Sequence, residues 1–234
     1  MNELKERSGP TRVLIVDDER LFAELLRVAL RGAEGIEVAD VIHDVATAIK
    51  RLPELRPDVV LADYHLPDGT GADIARTVRA ILPDTAVLIL TGDPSAAVLS
   101  DVARSGAVGH MTKDRGFEEV VAGVRSAAAG EILFAPSELQ RLLLERETPR
   151  KIVEPLTGRE LEVLQRLAEG LSTAEASRLL GISTATLRAH VQSVLRKLGA
   201  HSRLEAVAEA ARVGLITLDS WTRERSVAPL GEVK

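Results

Sequence analysis

Between residues 11 and 131 short apolar runs alternate with amphipathic runs five times, and very few folds satisfy that pattern. RVLIVDD (12–18), IEVADVIHD, DVVLAD (58–63), AVLILTG (86–92) and VGHMTK read as strands. ERLFAELLRVALRG, VATAIKRLPEL, ADIARTVRAIL, PSAAVLSDVARSG and FEEVVAGVRSAAAG carry apolar residues at helical spacing. Near-continuous apolar strands that alternate with helices imply a parallel sheet covered on both faces. The expected fold of this half is α/β.

All strands of such a sheet point the same way, so their C-terminal ends share one edge, where ligands bind. The residues directly after each apolar run are therefore informative. Asp17 and Asp18 come after LIV, Asp63 after VVLA, Thr91 after VLIL and Lys113 after VGHMT. Alone, Asp17 or Asp18 reads as a helix cap, Thr91 as a turn residue and Lys113 as a solvated surface charge. Together they bring three carboxylates, a hydroxyl and an ammonium to one rim. Clustered carboxylates repel, and a hard divalent cation such as Mg2+ is their natural neutraliser. A carboxylate can also attack phosphorus and form an acyl phosphate, whose charge a metal and a lysine would screen.

After Pro155 the strands disappear. T-x-x-E (Thr157, Glu160) and S-x-x-E (Ser172, Glu175) are capping boxes, Ser183 reads as a third N-cap, and Gly170, Gly181 and Gly199 fall where helices should stop. TAEASRLL, the turn Gly181-Ile182-Ser183 and a second helix form a helix-turn-helix arrangement. Leu187, Val191, Val194, Leu195 and Leu198 make its buried stripe. The opposite face presents Thr184, Arg188, Ala189, Gln192, Ser193 and Arg196, types suited to base edges and phosphates.

Composition agrees with two different halves. Residues 11–135 hold 13 Lys+Arg against 20 Asp+Glu, net −7, whereas 155–217 hold 8 against 6, net +2. The absence of cysteine excludes disulfides and thiolate metal sites. Aromatics are 2%, too few for a base-stacking platform. No apolar run is long enough to span a bilayer, and the polar MNELKERSGP does not read as a secretory signal, so a cytoplasmic protein is expected. The expected divisions are 11–131, a charged linker at 132–154 with a short helix, 155–217, and a loose tail at 218–234.

Residues 12 to about 130 resemble the receiver domain of two-component response regulators. The resemblance rests on Asp17–Asp18, the stretch from Asp63 through Leu66-Pro67-Asp68-Gly69, Thr91–Gly92, and G-A-x-G-x-x-x-K ending at Lys113. It implies a flavodoxin-like (βα)5 fold, Asp63 as phosphoacceptor, and Mg2+ on Asp17 or Asp18, Asp63 and the main-chain carbonyl of His65. Thr91 and Lys113 would hold the phosphoryl oxygens, and a sensor histidine kinase would be the donor. One departure is His110, where the family usually has Tyr or Phe as a switch residue.

The second half resembles the four-helix C-terminal domain of the LuxR/NarL/FixJ class. Its landmarks are L-T-x-R-E (156–160), E-V-L (162–164), A-x-G (168–170), S-x-x-T-x-x-x-H (183–190), K-L-G (197–199) and S-R (202–203). That implies double-stranded DNA as partner, read by Arg188, Ala189 and Gln192. Thr184, Thr186, Arg196 and Lys197 would serve the DNA backbone or the fold. Ala174 and Gln192 stand where basic residues occur in relatives, so fewer counterions would be released on binding. A homodimer on phosphorylation would offset this, and Ala206, Val207, Ala210 and Ala211 could either pack inward or form a two-fold contact. The combined expectation is a transcription regulator, not a metabolic enzyme. A receiver serving only as a phosphorylation-independent dimer platform is the alternative. An aspartyl-phosphate hydrolase is disfavoured because His65, not Asp, stands two residues past Asp63.

Overall fold

A computed structural model describes residues 9–93, 95–135 and 154–216, which fall into two compact units, 1–133 and 134–234. The first runs β1 (Thr11–Val16), α1 (Arg20–Arg31), β2 (Ile36–Ile42), α2 (Val45–Leu55), β3 (Val59–Asp63), β4 (His65–Leu66) and β5 (Gly69–Thr70). It continues with α3 (Gly71–Ile81), β6 (Ala86–Thr91), α4 (Ala96–Ser105), β7 (Gly109–Thr112) and α5 (Phe117–Ala129). Five strands form one parallel sheet in the order β2-β1-β3-β6-β7, the flavodoxin-like order with its switch point between β1 and β3.

The strands are apolar throughout because both faces are covered. Val13, Ile15, Val59, Leu61, Leu88 and Leu90 pack with Leu26 and Leu30 of α1 and Val120 and Val124 of α5 in one cluster. The alternate residues Leu14, Val16, Val60 and Ile89 are fully buried on the other face. Each such side chain contributes on the order of 2 kcal/mol through burial. Gly109 is required by a close approach. The chain after α5 returns so that Leu133 N–H donates to Val108 O at 2.7 Å, and a Cβ at 109 would lie 2.3 Å from Leu133 Cβ.

Two details depart from the sequence reading. The strand expected through Asp44 ends at Ile42, because the Asp44 side chain accepts from Thr47 N–H at 2.7 Å and starts α2. The antiparallel pair β4–β5, too short for any periodic signal, lies just after Asp63. The linker helix expected in 136–153 and the tail after 216 lie outside the described residues. Among the described residues no helix is long and apolar enough to cross a membrane.

The second unit holds α6 (Gly158–Ala168), α7 (Thr173–Leu180), α8 (Thr184–Leu198) and α9 (Arg203–Arg212). Thr157 and Ser172 make complete capping boxes, and Ser183 accepts from Thr186 N–H. Gly181 (φ 64°) and Gly199 (φ 62°) end α7 and α8 in the left-handed conformation. Val163, Leu164, Leu187, Val191, Val194, Leu198 and Leu204 form the core. Ala206, Val207 and Ala210 are fully buried within the chain and Ala211 is half-buried.

Candidate functional site

Strand register delivers the site residues to one edge. Val16 pairs with Ala62, Asp63 with Leu90, and Thr91 with Thr112. Asp17 and Asp18 therefore open the turn after β1, Asp63 closes β3, Thr91 closes β6 and Lys113 comes directly after β7.

Asp17 and Asp63 are 1% and 5% exposed, whereas Asp18 faces solvent. Carboxylate oxygens of all three lie within 4.8 Å of one another, close enough to ligate one cation. The Lys113 ammonium bridges the cluster, 3.0 Å from Asp17 Oδ2, 2.9 Å from Asp63 Oδ2 and 2.8 Å from Glu19 Oε1. The Phe22 ring lies beneath it at 4.9 Å, in cation–π range. Burial pushes the Asp17 carboxyl up; its bond to Lys113 opposes this and the Asp63 charge adds to it. Burial would depress the lysine, but hydrogen bonds to Glu19, Asp63 and Asp17 outweigh it and hold the ammonium above its ordinary pKa. Asp17, Asp18, Glu19 and Asp63 set four carboxylates against one ammonium. This hard, all-oxygen donor set suits a divalent cation such as Mg2+ or Ca2+.

The other expected residues take different positions. Thr91 is fully buried, and its hydroxyl closes the next turn, with Asp93 O and Asp93 N–H each at 3.0 Å. Asp93 in turn accepts from Ser95 N–H at 2.9 Å, just ahead of α4. His110 is half-buried on β7, paired with Ile89. His65 is exposed, and its N–H donates to Asp63 Oδ1 at 3.3 Å.

Several contacts escaped the sequence reading. Glu19 reads as the start of α1, yet it makes no cap and reaches Lys113 instead. Three consecutive acids at a strand end could have raised that option. The Tyr64 hydroxyl donates to Asp101 of α4 at 3.1 Å, and Arg76 of α3 pairs with both Asp101 and Asp73. Burial and the Asp101 charge push the Tyr64 phenol up to about 12. His43 Nδ1 meets Asp17 O at 2.7 Å, and Asp68 accepts from the first amides of α2. Nothing in residue spacing signals the last two.

On α8, Thr184, Thr186, Ala189, Gln192 and Arg196 are exposed and Arg188 is half-buried, so the expected face is presented. Lys197 takes the second of its two options, the fold. It is 8% exposed, with its ammonium 2.8 Å from Glu160 Oε2 and 3.2 Å from Pro155 O. A lysine so enclosed ties α8 to α6. Ser193, expected on the open face, donates to Glu160 Oε1 at 2.7 Å. Burial would raise Glu160, but bonds from Lys197, Ser193 and Thr157 bring it down to about 2.

The family model for the response regulator receiver domain matches residues 13–125, and that for bacterial regulatory proteins of the luxR family matches 154–210. The nitrate/nitrite response regulator protein NarP of Escherichia coli (strain K12) is 33% identical over 84% of this chain and 93% of its own. The crystal structure of a LuxR-family two-component response regulator from Aurantimonas sp. SI85-9A1 matches with a TM-score of 0.53 and 26% identity, covering 60% of this chain and all of that one. A structure of two RcsB dimers bound to two parallel DNAs matches with a TM-score of 0.50 and 25% identity, over 88% of this chain and 100% of that one.

Proposed function

Because this chain belongs to the response regulators with a luxR-type DNA-binding domain, we propose that Asp63 is its phosphoacceptor and that phosphorylation sets its affinity for DNA. The observation that carries this reading is the Asp63 carboxylate itself. It is nearly buried at a strand end, between the Lys113 ammonium and the Asp17–Asp18 carboxylates.

In the proposed reaction an Asp63 oxygen attacks phosphorus of a kinase phosphohistidine. The P–O bond forms, the P–N bond breaks, and the imidazole nitrogen leaves and takes up a proton. Mg2+ held by Asp17, Asp18, Asp63 and the His65 carbonyl would supply charge neutralisation for the transferring phosphoryl oxygens. Lys113 turns from Asp63 to a phosphoryl oxygen while Glu19 and Asp17 keep its ammonium at the rim. The Thr91 hydroxyl leaves Asp93 for the phosphoryl group and loosens the turn into α4. Half-buried His110, on the neighbouring strand, joins this switch.

The second unit binds double-stranded DNA, with Arg188, Ala189 and Gln192 toward base edges and Thr184, Thr186 and Arg196 toward phosphates. A homodimer over two half-sites is supported by the DNA-bound RcsB dimers. The domain limits are 11–131 and 155–217, beside the matched spans 13–125 and 154–210. The chemistry is confined to the chain's own phosphoryl transfer and loss, so the protein is a cytoplasmic transcription regulator and not a metabolic enzyme. Light scattering and DNA binding, with and without acetyl phosphate and Mg2+, test the coupling. The reading expects tighter DNA binding and dimers only after phosphorylation, and identical behaviour of both forms contradicts it.

A further inference from the structure

The acidic pocket has two walls that are remote in sequence. One is the turn Asp17–Asp18 after β1, and the other is the loop from Asp63 through β4 and β5. Both are tied to the same five residues, the β2–α2 junction Ile42–Ala46.

On the first wall both backbone polar groups of Asp17 are held. Its N–H donates to Ile42 O at 3.0 Å, and its carbonyl lies 2.7 Å from His43 Nδ1. A carbonyl only accepts, so Nδ1 carries the hydrogen. On the second wall Asp68, at the tip of the β4–β5 pair, accepts Val45 N–H at 2.7 Å and Ala46 N–H at 2.8 Å, one on each carboxylate oxygen. Helix N-terminal amides are ordinarily satisfied by the local N-cap. Here Asp44 takes only Thr47 N–H, and the two amides before it go to a residue 22 and 23 positions away. Those bonds hold the Asp68 carboxyl below its usual range. The approach is close enough that a Cβ on Gly69 would lie 3.3 Å from Val45 Cγ2.

We propose that His43 and Asp68 are positioning residues for the divalent cation, bracing the two walls of the acidic pocket against the β2–α2 junction. This rests on the reading that the pocket holds Mg2+. Partners that orient metal ligands through a second layer of hydrogen bonds typically govern affinity by about 10–100-fold. Neither residue touches the metal. Asp63 lies within β3 itself, whereas Asp17 lies past the end of β1 and Asp68 lies in the turn between β4 and β5.

The test is calorimetric titration of Mg2+ into the full-length unphosphorylated chain. His43→Phe keeps a ring and removes the donor, and Asp68→Ala removes both acceptors. Each should weaken Mg2+ binding about tenfold or more. His43→Asn places an amide N–H at the same bond distance as Nδ1 and should restore the affinity. Asp68→Asn keeps one acceptor and should fall between. Labelling by acetyl phosphate should be slow in the weakened variants and recover when Mg2+ is raised. Asp68 is exposed, so Asp68→Ala still decides the matter if His43→Phe loses its fold. Wild-type Mg2+ affinity in Asp68→Ala and His43→Phe, beside a wild type that binds, overturns the brace alone. A wild type that binds no Mg2+ overturns the metal reading itself and the brace with it.

Discussion

Lys113 Nζ lies 2.9 Å from Asp63 Oδ2 and 3.0 Å from Asp17 Oδ2, so one ammonium from the end of β7 joins the ends of β1 and β3. Removing it leaves Asp17, Glu19 and Asp63 without the ammonium they share. Lys113→Ala should therefore bind Mg2+ several-fold more tightly in low salt, by loss of Coulomb repulsion between ammonium and metal. It should nonetheless lose the rise in DNA affinity on phosphorylation. Calorimetry and DNA titration of the same preparation check both, and an unchanged or weakened Mg2+ affinity counts against the electrostatic picture.

Gly71 begins α3 against the backbone of Asp63. A Cβ there would lie 2.5 Å from Asp63 O and 2.9 Å from Ile89 Cδ1. The first of those atoms is backbone and cannot rotate away. Gly71→Ala should cost about 1–3 kcal/mol and displace the Asp63 carbonyl. Urea denaturation measures the first effect, and the rate of acetyl-phosphate labelling at saturating Mg2+ measures the second. Wild-type values for both would show that the turn relaxes freely.

Glu160 links α6 to α8 through Lys197 and Ser193, and its pKa lies at about 2 against an ordinary 4.5. A carboxyl whose folded pKa is depressed contributes stability that is full above its unfolded pKa and is lost as pH falls toward the folded one. The C-terminal unit should therefore lose stability between about pH 4.5 and pH 2. Glu160→Gln should flatten that dependence. Urea midpoints at several pH values decide it, and parallel curves for the two proteins would contradict the pairing.

Lys197→Met leaves the buried Glu160 carboxylate with only its hydroxyl and amide partners. Breaking one side of a buried ion pair costs about 3–5 kcal/mol. The neighbouring exposed Arg196 should behave in the opposite way. Arg196→Ala should leave stability within about 0.5 kcal/mol of wild type. It should reduce the slope of log affinity against log salt by about one unit. Arg188→Ala and Gln192→Ala should each cost about 1–3 kcal/mol at the preferred base pair. A Lys197 variant that folds normally and loses salt dependence would return that lysine to the DNA surface.

Much of the site is legible in the sequence because strand periodicity ends where chemistry begins. Asp63 and Lys113 stand directly after apolar runs, and parallel register alone brings them to one edge. Glu19 was hidden because an acid one residue past an acidic pair looks like a first-turn helix residue. His43 and Asp68 were hidden because their partners are backbone atoms at Asp17 and in α2, which carry no residue-type signature. For Lys197 residue type leaves phosphate contact and a structural role equally open, and only the packing of α6 against α8 shows that Glu160 occupies its charge. The β4–β5 pair, two residues on each side, lies below the length at which alternation can be read.

Intact-mass measurement of the full-length chain after incubation with acetyl phosphate and Mg2+, beside Asp63→Asn, decides whether Asp63 accepts a phosphoryl group. A gain of one phosphoryl group is expected in the wild type, none in Asp63→Asn, and none in either when Mg2+ is chelated. An unmodified wild type under every phosphodonor, or an equal gain in Asp63→Asn, would contradict phosphorylation at Asp63 and leave the receiver as a phosphorylation-independent platform.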